Sequence, residues 1–334
     1  MGKSVLKNMG HHIRARNNQP IIGVLTQPIP SEWNNDLELT FKSYFEASHA
    51  DFLQAGGARV VAVDYTQPEG ALRRELSNLN GVYIPGDSKD SYDNDMYMNA
   101  VKQILAFVSD ENAKADKHFP LVGVSWGMLA MLKSQTNQSS LFQGLRSNLV
   151  GEPLQQNLNL LPKETFLYDE LLGLDLEKTL DEITFFNEMD EGITLDNFRT
   201  AQELRSFVPV ATFDQGRKKD SQLEETVSTI EGTYLPLFGF AYRIDKVQFG
   251  VHAQKGEAHE NIDHSRAAIE HAQHVANLLV DESRLSPNRF EFTNEEAARL
   301  ITNHDIRMVT LPTPHDFTAD KNFAREYRTE IYLF

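Results

Sequence analysis

The chain of 334 residues contains no cysteine. That excludes disulfide stapling, thiolate zinc sites, iron–sulfur clusters and any Cys nucleophile. It also lacks any run approaching the roughly 18 apolar residues that a membrane-spanning helix needs, so no membrane insertion is expected. Positive charge is scarce: 32 Lys and Arg stand against 48 Asp and Glu, a formal net charge of −16. An acidic balance of that size argues against nucleic acid or an anionic membrane as the main partner. Acidic residues are in turn missing from the first 31 positions, where Lys3, Lys7, Arg14 and Arg16 fall. Val5, Leu6, Met9 and Ile13 there have helical spacing, so residues 1–18 read as a basic arm, expected to be retained and to lie against something. The arm fits a docking element, a mitochondrial-type presequence or a solvated tail.

At 40% hydrophobic and 24% charged, the rest of the chain can bury a substantial core. From residue 20 short apolar runs alternate with helical patterns. Strands are expected at 20–26, 59–65, 81–85 and 120–125, and helices at 39–56, 69–79 and 91–109. In the helix at 39–56, Phe41, Phe45, Ala47, Phe52 and Leu53 would share a face. This order with short connections implies a parallel sheet covered on both faces, its crevice at the carboxyl ends of the strands. Beyond residue 135 the pattern changes. Residues 136–180 are rich in Asn, Gln and Leu and read as an insertion. Strands at 206–213, 225–232 and 236–243 are close enough to pair antiparallel. A helix is expected at 263–283, with Ala268, Ala272, Val275, Leu278 and Leu279 inward, and a terminal strand at 330–334. Residues 19–334 read as one domain with a mixed sheet.

The sharpest local signal is Gly123-Val124-Ser125-Trp126-Gly127 at a strand–helix junction. Small residues on both sides allow a tight turn that lifts the central side chain above the sheet. The N–H groups of the following helix then face any anion formed there. A Gly-flanked strand end with a capping serine is the bland reading of the same five residues.

Six stretches, in order, decide between them: PIIGVLTQ at 20–27, EASHADFLQAGGARVVAV at 46–63, LNGVYIPGDS at 79–88, FPLVGVSWG at 119–127, STIEGTYLPLFGFAYRIDK at 228–246 and EIYLF at 330–334. Together they resemble the gamma-glutamyl hydrolases, the folate polyglutamate hydrolase family of the class I glutamine amidotransferase-like superfamily. The resemblance runs from Pro20 to Phe334. It implies an α/β three-layer sandwich, a flavodoxin-like core around a mostly parallel sheet, with Cys, His and an acidic residue acting at the strand ends and with neither cofactor nor metal.

Carried across position by position, the resemblance implies that Ser125 holds the family's nucleophilic cysteine position. Arg243 holds that of the catalytic histidine and Asp245 that of the acid. Pro85-Gly86-Asp87 stands where the family's oxyanion loop reads Pro-Gly-Gly, so Gly86, Asp87 and Trp126 would border the former pocket. A hydroxyl needs a neighbouring base to become a nucleophile, and a guanidinium stays protonated at physiological pH. An Asp87 carboxylate would also oppose an oxyanion. We therefore expect a catalytically silent family member serving as a structural or interaction subunit of a larger assembly, with a buried ion pair among Arg243, Asp245 and Asp87 filling the former site. The alternatives are a gamma-glutamyl hydrolase using Ser125 with an unconventional base, and a sensor in which Arg243 grips a glutamyl ligand without cleaving it. Trp126 is expected over the crevice mouth.

Other histidines give no clear replacement base. His49 reads as mid-helix and His118 as the residue preceding a strand. His252 lies two residues from Gln254, which occupies the base position if Phe-Gly-Val at 249–251 is taken as the matching strand. His271 and His274, at i and i+3, read as a solvated helix face, and with His259 and His264 they complete no recognisable metal-ligand pattern. Protein partners, a homodimer among them, are expected. The absence of cysteine and of an apolar signal core points to a cytoplasmic or cytoskeletal setting rather than a secretory one, with mitochondria left open by the basic arm.

Overall fold

The computed structural model describes residues 17–30, 41–144, 154–156, 158–161, 165–172, 183, 185–187, 189–214, 225–250, 262–312 and 326–334. Of the basic arm, only Asn17 and Asn18 fall within this set. Asn17 is tied to the fold by its amide, which donates to the Arg284 carbonyl at 3.1 Å.

The β-branched run Ile21–Leu25 (β1) sits near one end of an eight-stranded sheet. Gln27–Pro28 (β2) and Ser43–Glu46 (β3) follow, then Arg59–Val63 (β4), Gly81–Ile84 (β5) and Leu121–Val124 (β6). Phe142–Gly144 (β7), Leu154–Gln156 (β8), Leu158–Leu160 (β9), Phe185–Asn187 (β10) and Glu191–Ile193 (β11) are short. Phe207–Asp214 (β12), Glu225–Gly232 (β13), Leu237–Phe240 (β14), Ile306–Pro312 (β15) and Glu326–Leu333 (β16) complete the strands. The central sheet has the order β4-β1-β5-β6-β14-β13-β12-β9. Its first five strands run parallel, and the last three are added antiparallel. This is the mixed sheet expected, and the three late strands pair as the sequence predicts.

Helix Ala47–Ala55 (α1) joins β3 to β4, and Glu69–Leu76 (α2) joins β4 to β5. The chain then forms Lys89–Tyr92 (α3), Asp95–Asn112 (α4) and, straight after β6, Trp126–Ser134 (α5). Helices Phe166–Leu172 (α6), Leu195–Thr200 (α7), Lys246–Phe249 (α8), Arg266–Arg284 (α9) and Thr293–Arg299 (α10) follow. The strand order reverses direction around β1. Right-handed crossovers therefore place α1 on one face of the sheet, where α9 packs against it, and α2, α4 and α5 on the other, where they contact one another. The result is the three-layer α/β sandwich. None of the described helices is long and apolar enough to cross a membrane.

Three expectations differ from the structure. Residues 43–46, expected within a helix, form β3. Tyr44 and Phe45 are both fully buried, one on each side of the strand, and a helix would place neighbouring residues only 100° apart. The terminal strand belongs to a second sheet, β15-β16-β3-β2, entirely antiparallel, rather than to the central one. That small sheet has its own core of Tyr44, Val309, Ile331 and Leu333. Within the stretch 136–180, β9 forms the last strand of the central sheet through Ala211↔Leu160 and its neighbours, and Leu167 is fully buried.

The inward face of α9 is the one expected: Ala268, Ala272, Val275, Leu278 and Leu279 are buried. His271 is buried with them, which corrects its assignment to a solvated face. Its ring meets Phe185 edge-on at 5.3 Å, and its Nε2 lies 3.4 Å from the Tyr242 hydroxyl. Burial, helped by neighbouring His274, pushes its pKa down to about 3. The unfolded chain would take up a proton near pH 6.5 that the folded chain refuses until about pH 3, so stability is full above 6.5 and declines as the pH falls through that window. His271→Leu is expected to flatten the dependence of unfolding free energy on pH between about 6.5 and 4.5, read from urea titrations of both proteins.

Candidate active site

Four parallel strands deliver their carboxyl ends to one place. β1 leads to Gln27, β5 to Pro85-Gly86-Asp87, β6 to Ser125, and β14 to the turn carrying Arg243 and Asp245. The start of α1 adds Glu46, Ser48 and His49, all buried. This is the crevice position expected of an open α/β sheet.

At the elbow, Ser125 has φ 53° and ψ −125°, one of two non-glycine residues with positive φ among those described. Such a backbone costs about 1–3 kcal/mol and persists only where the surroundings over-determine it. Here they do. The Ser125 N–H donates to the Phe240 carbonyl at 2.7 Å, and its own carbonyl accepts from the Met128 N–H at 3.0 Å. Gly127 passes so close to β5 that a Cβ on it would lie 2.1 Å from the Ile84 carbonyl oxygen, and one on Gly86 would lie 2.3 Å from the Trp126 nitrogen. The oxyanion-loop position therefore rests directly on the elbow. Ser125 is 0% exposed, and its Oγ has no hydrogen-bond partner.

A buried ion network fills the neighbouring space. Arg243 grips Asp245 with two parallel bonds, Nε to Oδ1 at 2.9 Å and Nη2 to Oδ2 at 2.8 Å. Nη2 also lies 3.1 Å from Asp87 Oδ1 and 3.1 Å from Glu46 Oε2. Lys246 Nζ reaches the same Glu46 oxygen at 2.5 Å. Ser48 Oγ donates to Asp245 at 2.6 Å. His49 places Nε2 2.5 Å from Asp87 and Nδ1 3.0 Å from the Tyr83 hydroxyl.

Asp87 is further held by the Gln27 side-chain amide at 2.7 Å and the Glu46 N–H at 3.0 Å. Its own N–H donates to Gln27 Oε1 at 3.1 Å, so that loop amide is already engaged. The expected pairing of Arg243 with both Asp245 and Asp87 is thus present, although not on a strand: β14 ends at Phe240, and the two residues occupy the turn before α8.

The electrostatics follow from the geometry. Burial alone would raise the pKa of Asp87, but His49, then Arg243, and the hydrogen bonds from His49 and the Glu46 amide hold it down at about 2. Asp245 is likewise subject to a burial penalty that Arg243, His49 and Lys246 outweigh, leaving its carboxyl well below the usual range. Burial first, and the carboxylates of Asp245 and Asp87 second, push the Tyr83 hydroxyl well above its ordinary value despite the opposing pull of Arg243.

Trp126 is buried at the start of α5, its ring 5.4 Å from that of Tyr92 and 5.5 Å from Lys89 Nζ. Sequence reasoning did not assign Gln27, Glu46, Ser48, His49, Tyr83 or Lys246 to the site. Each lies within a stretch that carries the family resemblance, but neither its residue type nor its spacing marks it as part of a cluster. His118 bonds Glu282 at 2.8 Å and His264 the Val247 carbonyl at 2.8 Å. His252, Gln254 and His259 lie outside the described residues.

No family model matches the chain. Among curated proteins, probable gamma-glutamyl hydrolase 3 of Arabidopsis thaliana is 30% identical over 82% of this chain and 75% of its own length. Gamma-glutamyl hydrolase 1 of the same plant is 29% identical over 86% and 78%. The solved structure of a putative GMP synthase subunit from Thermoplasma acidophilum aligns at 10% identity with a TM-score of 0.46, over 84% of this chain and 98% of that one.

Arg243→Met would strand the buried carboxylates of Asp245, Asp87 and Glu46 with Lys246 as the remaining permanent cation of the cluster. The expected cost is about 3–5 kcal/mol in a urea titration near neutral pH. Asp87 titrates near 2 in the folded chain and near 3.8 when unperturbed. The stability it contributes is therefore complete above about pH 4 and lost as the pH falls toward 2. Removing Arg243 raises the folded-state pKa and shrinks that acid-side loss, so the two proteins converge in stability as the pH falls.

Proposed function

Because the chain belongs to the gamma-glutamyl hydrolase family, we propose that it is a non-hydrolysing member of it, retained for its fold as a structural or interaction subunit of a larger assembly. The observation that carries this reading is the Arg243 network. Hydrolysis through a hydroxyl needs a base to take its proton, and Ser125 Oγ has no hydrogen-bond partner. Arg243, at the position that the resemblance gives to the base, donates to carboxylates and cannot accept a proton. A ligand would have to enter a centre whose side chains, from Ser125 to Asp245, are buried and, Ser125 apart, already paired. Loss of both nucleophile and base in such machinery lowers rates by about 10⁴- to 10⁶-fold.

One observation favours the hydrolase alternative: the strained backbone of Ser125 is the geometry in which a nucleophile is displayed. The close packing of Gly86 and Gly127 accounts for the same strain without catalysis.

Incubation of the purified protein with a folate polyglutamate is expected to release glutamate no faster than a protein-free control, with Ser125→Ala indistinguishable from the parent. Turnover that disappears in Ser125→Ala would establish the hydrolase instead. For the assembly, a tagged full chain is expected to co-purify in a discrete large particle, and deletion of residues 1–18 to release it. A chain that sediments alone under mild extraction would count against the subunit role.

A further inference from the structure

Away from the Arg243 network, α7, the 3₁₀ turn Gln202–Leu204 and the first half of β12 enclose a surface cleft of about 510 Å³. Phe198, Leu204, Phe207 and Pro209 are buried or half-buried and give it an apolar floor. Arg199 and Arg205 also line it, and both are exposed.

These two guanidiniums form no ion pair within 4 Å among the described residues, whereas Arg59, Arg73, Arg266, Arg284 and Arg299 each hold a carboxylate. Glu203 lies between them in sequence but is bonded to the Gln138 side-chain amide at 2.7 Å. The cleft therefore combines an apolar floor with two unneutralised cations, on a chain whose overall charge is −16.

We propose that this cleft is a docking site for an acidic peptide segment of a partner protein, one that seats one or two apolar side chains on the floor and sets flanking carboxylates against Arg199 and Arg205. Charge complementarity selects the acidic flank, because planar guanidinium forks match carboxylates, while the volume and floor select the apolar anchor. A single small carboxylate would gain little from two solvent-exposed arginines, since exposed ion pairs are weak one at a time. An extended segment adds two ion pairs to the burial of its anchor. The long-range repulsion between an acidic ligand and the acidic chain confines binding to this locally cationic cleft. None of these residues belongs to the Ser125–Arg243 centre, so the inference stands whether or not the chain hydrolyses anything.

The test is calorimetric titration of the full chain with the synthetic peptide Asp-Asp-Leu-Phe-Glu-Glu. Saturable binding is expected, weakened at least about tenfold by the double variant Arg199→Glu/Arg205→Glu, and lost when Leu and Phe of the peptide become Ser or its acids become Lys. Binding should also weaken with added salt. Thermal unfolding of the double variant should match the parent, since both side chains are exposed. If it does not, the single variants Arg199→Gln and Arg205→Gln are read in its place, with the same direction expected. The proposal is overturned by absence of saturable binding to the parent, by equal affinity for the charge-reversed protein, or by indifference to the apolar anchor. Benzoate binding the cleft while the peptide does not would overturn it as well.

Discussion

A guanidinium that cannot lose its proton, placed where water cannot reach it, must be surrounded by negative charge. Arg243 is fully buried, and the structure around it is arranged to meet that requirement. Asp245 takes its fork bidentately, Asp87 and Glu46 share Nη2, and Lys246 and His49 attach to those carboxylates in turn. The members come from the ends of β5 and β14, from the junction of β3 with α1, and from the start of α8. The network therefore fastens the parallel half of the central sheet to β3 of the small antiparallel sheet. Such a pairing offsets a desolvation cost more than it adds net stability, which is why each partner is hard to remove singly.

The elbow obeys a different constraint. Its backbone is strained by close contact with β5, where glycines at 86 and 127 let main chain approach main chain, and by hydrogen bonds at both ends of Ser125. None of those forces involves the Ser125 hydroxyl. A nucleophile's display can thus persist by packing alone while the side-chain chemistry around it is exchanged, which separates the family's fold from the family's reaction. The same separation appears in charge. The chain is strongly acidic overall, yet two permanent cations, Arg243 and Lys246, are buried in the centre, and Arg199 and Arg205 stand without carboxylate partners at a surface cleft.

Much of the fold was legible from one-dimensional pattern. The apolar β-branched runs became the parallel strands, the antiparallel trio paired as spaced, and the inward face of α9 followed from its periodicity, because local burial patterns reflect the faces that sheets and helices must hide. The order of the six family-like stretches located Ser125, Arg243, Asp245 and Asp87 at one crevice. Local pattern failed where long-range partners decide. Residues 43–46 carry aromatic residues that suit a helix face or a strand equally, and their pairing with residues 331–333 made the choice. His271 looked like a surface residue by its polarity, but its place on α9 left it beneath Phe185 and Tyr242.

What the sequence determined by itself was residue chemistry and order: no thiol, a hydroxyl at the elbow, and an arginine and a carboxylate two positions apart after the strand that follows Glu225–Gly232. Only the tertiary structure decided what those groups touch. His49, Glu46 and Lys246 are brought to Arg243 across separations of about 200 residues or within a single turn, and neither kind of proximity has a signature in spacing. A charge is located by its counter-charges, and those are assigned by how the strands are ordered in the sheet.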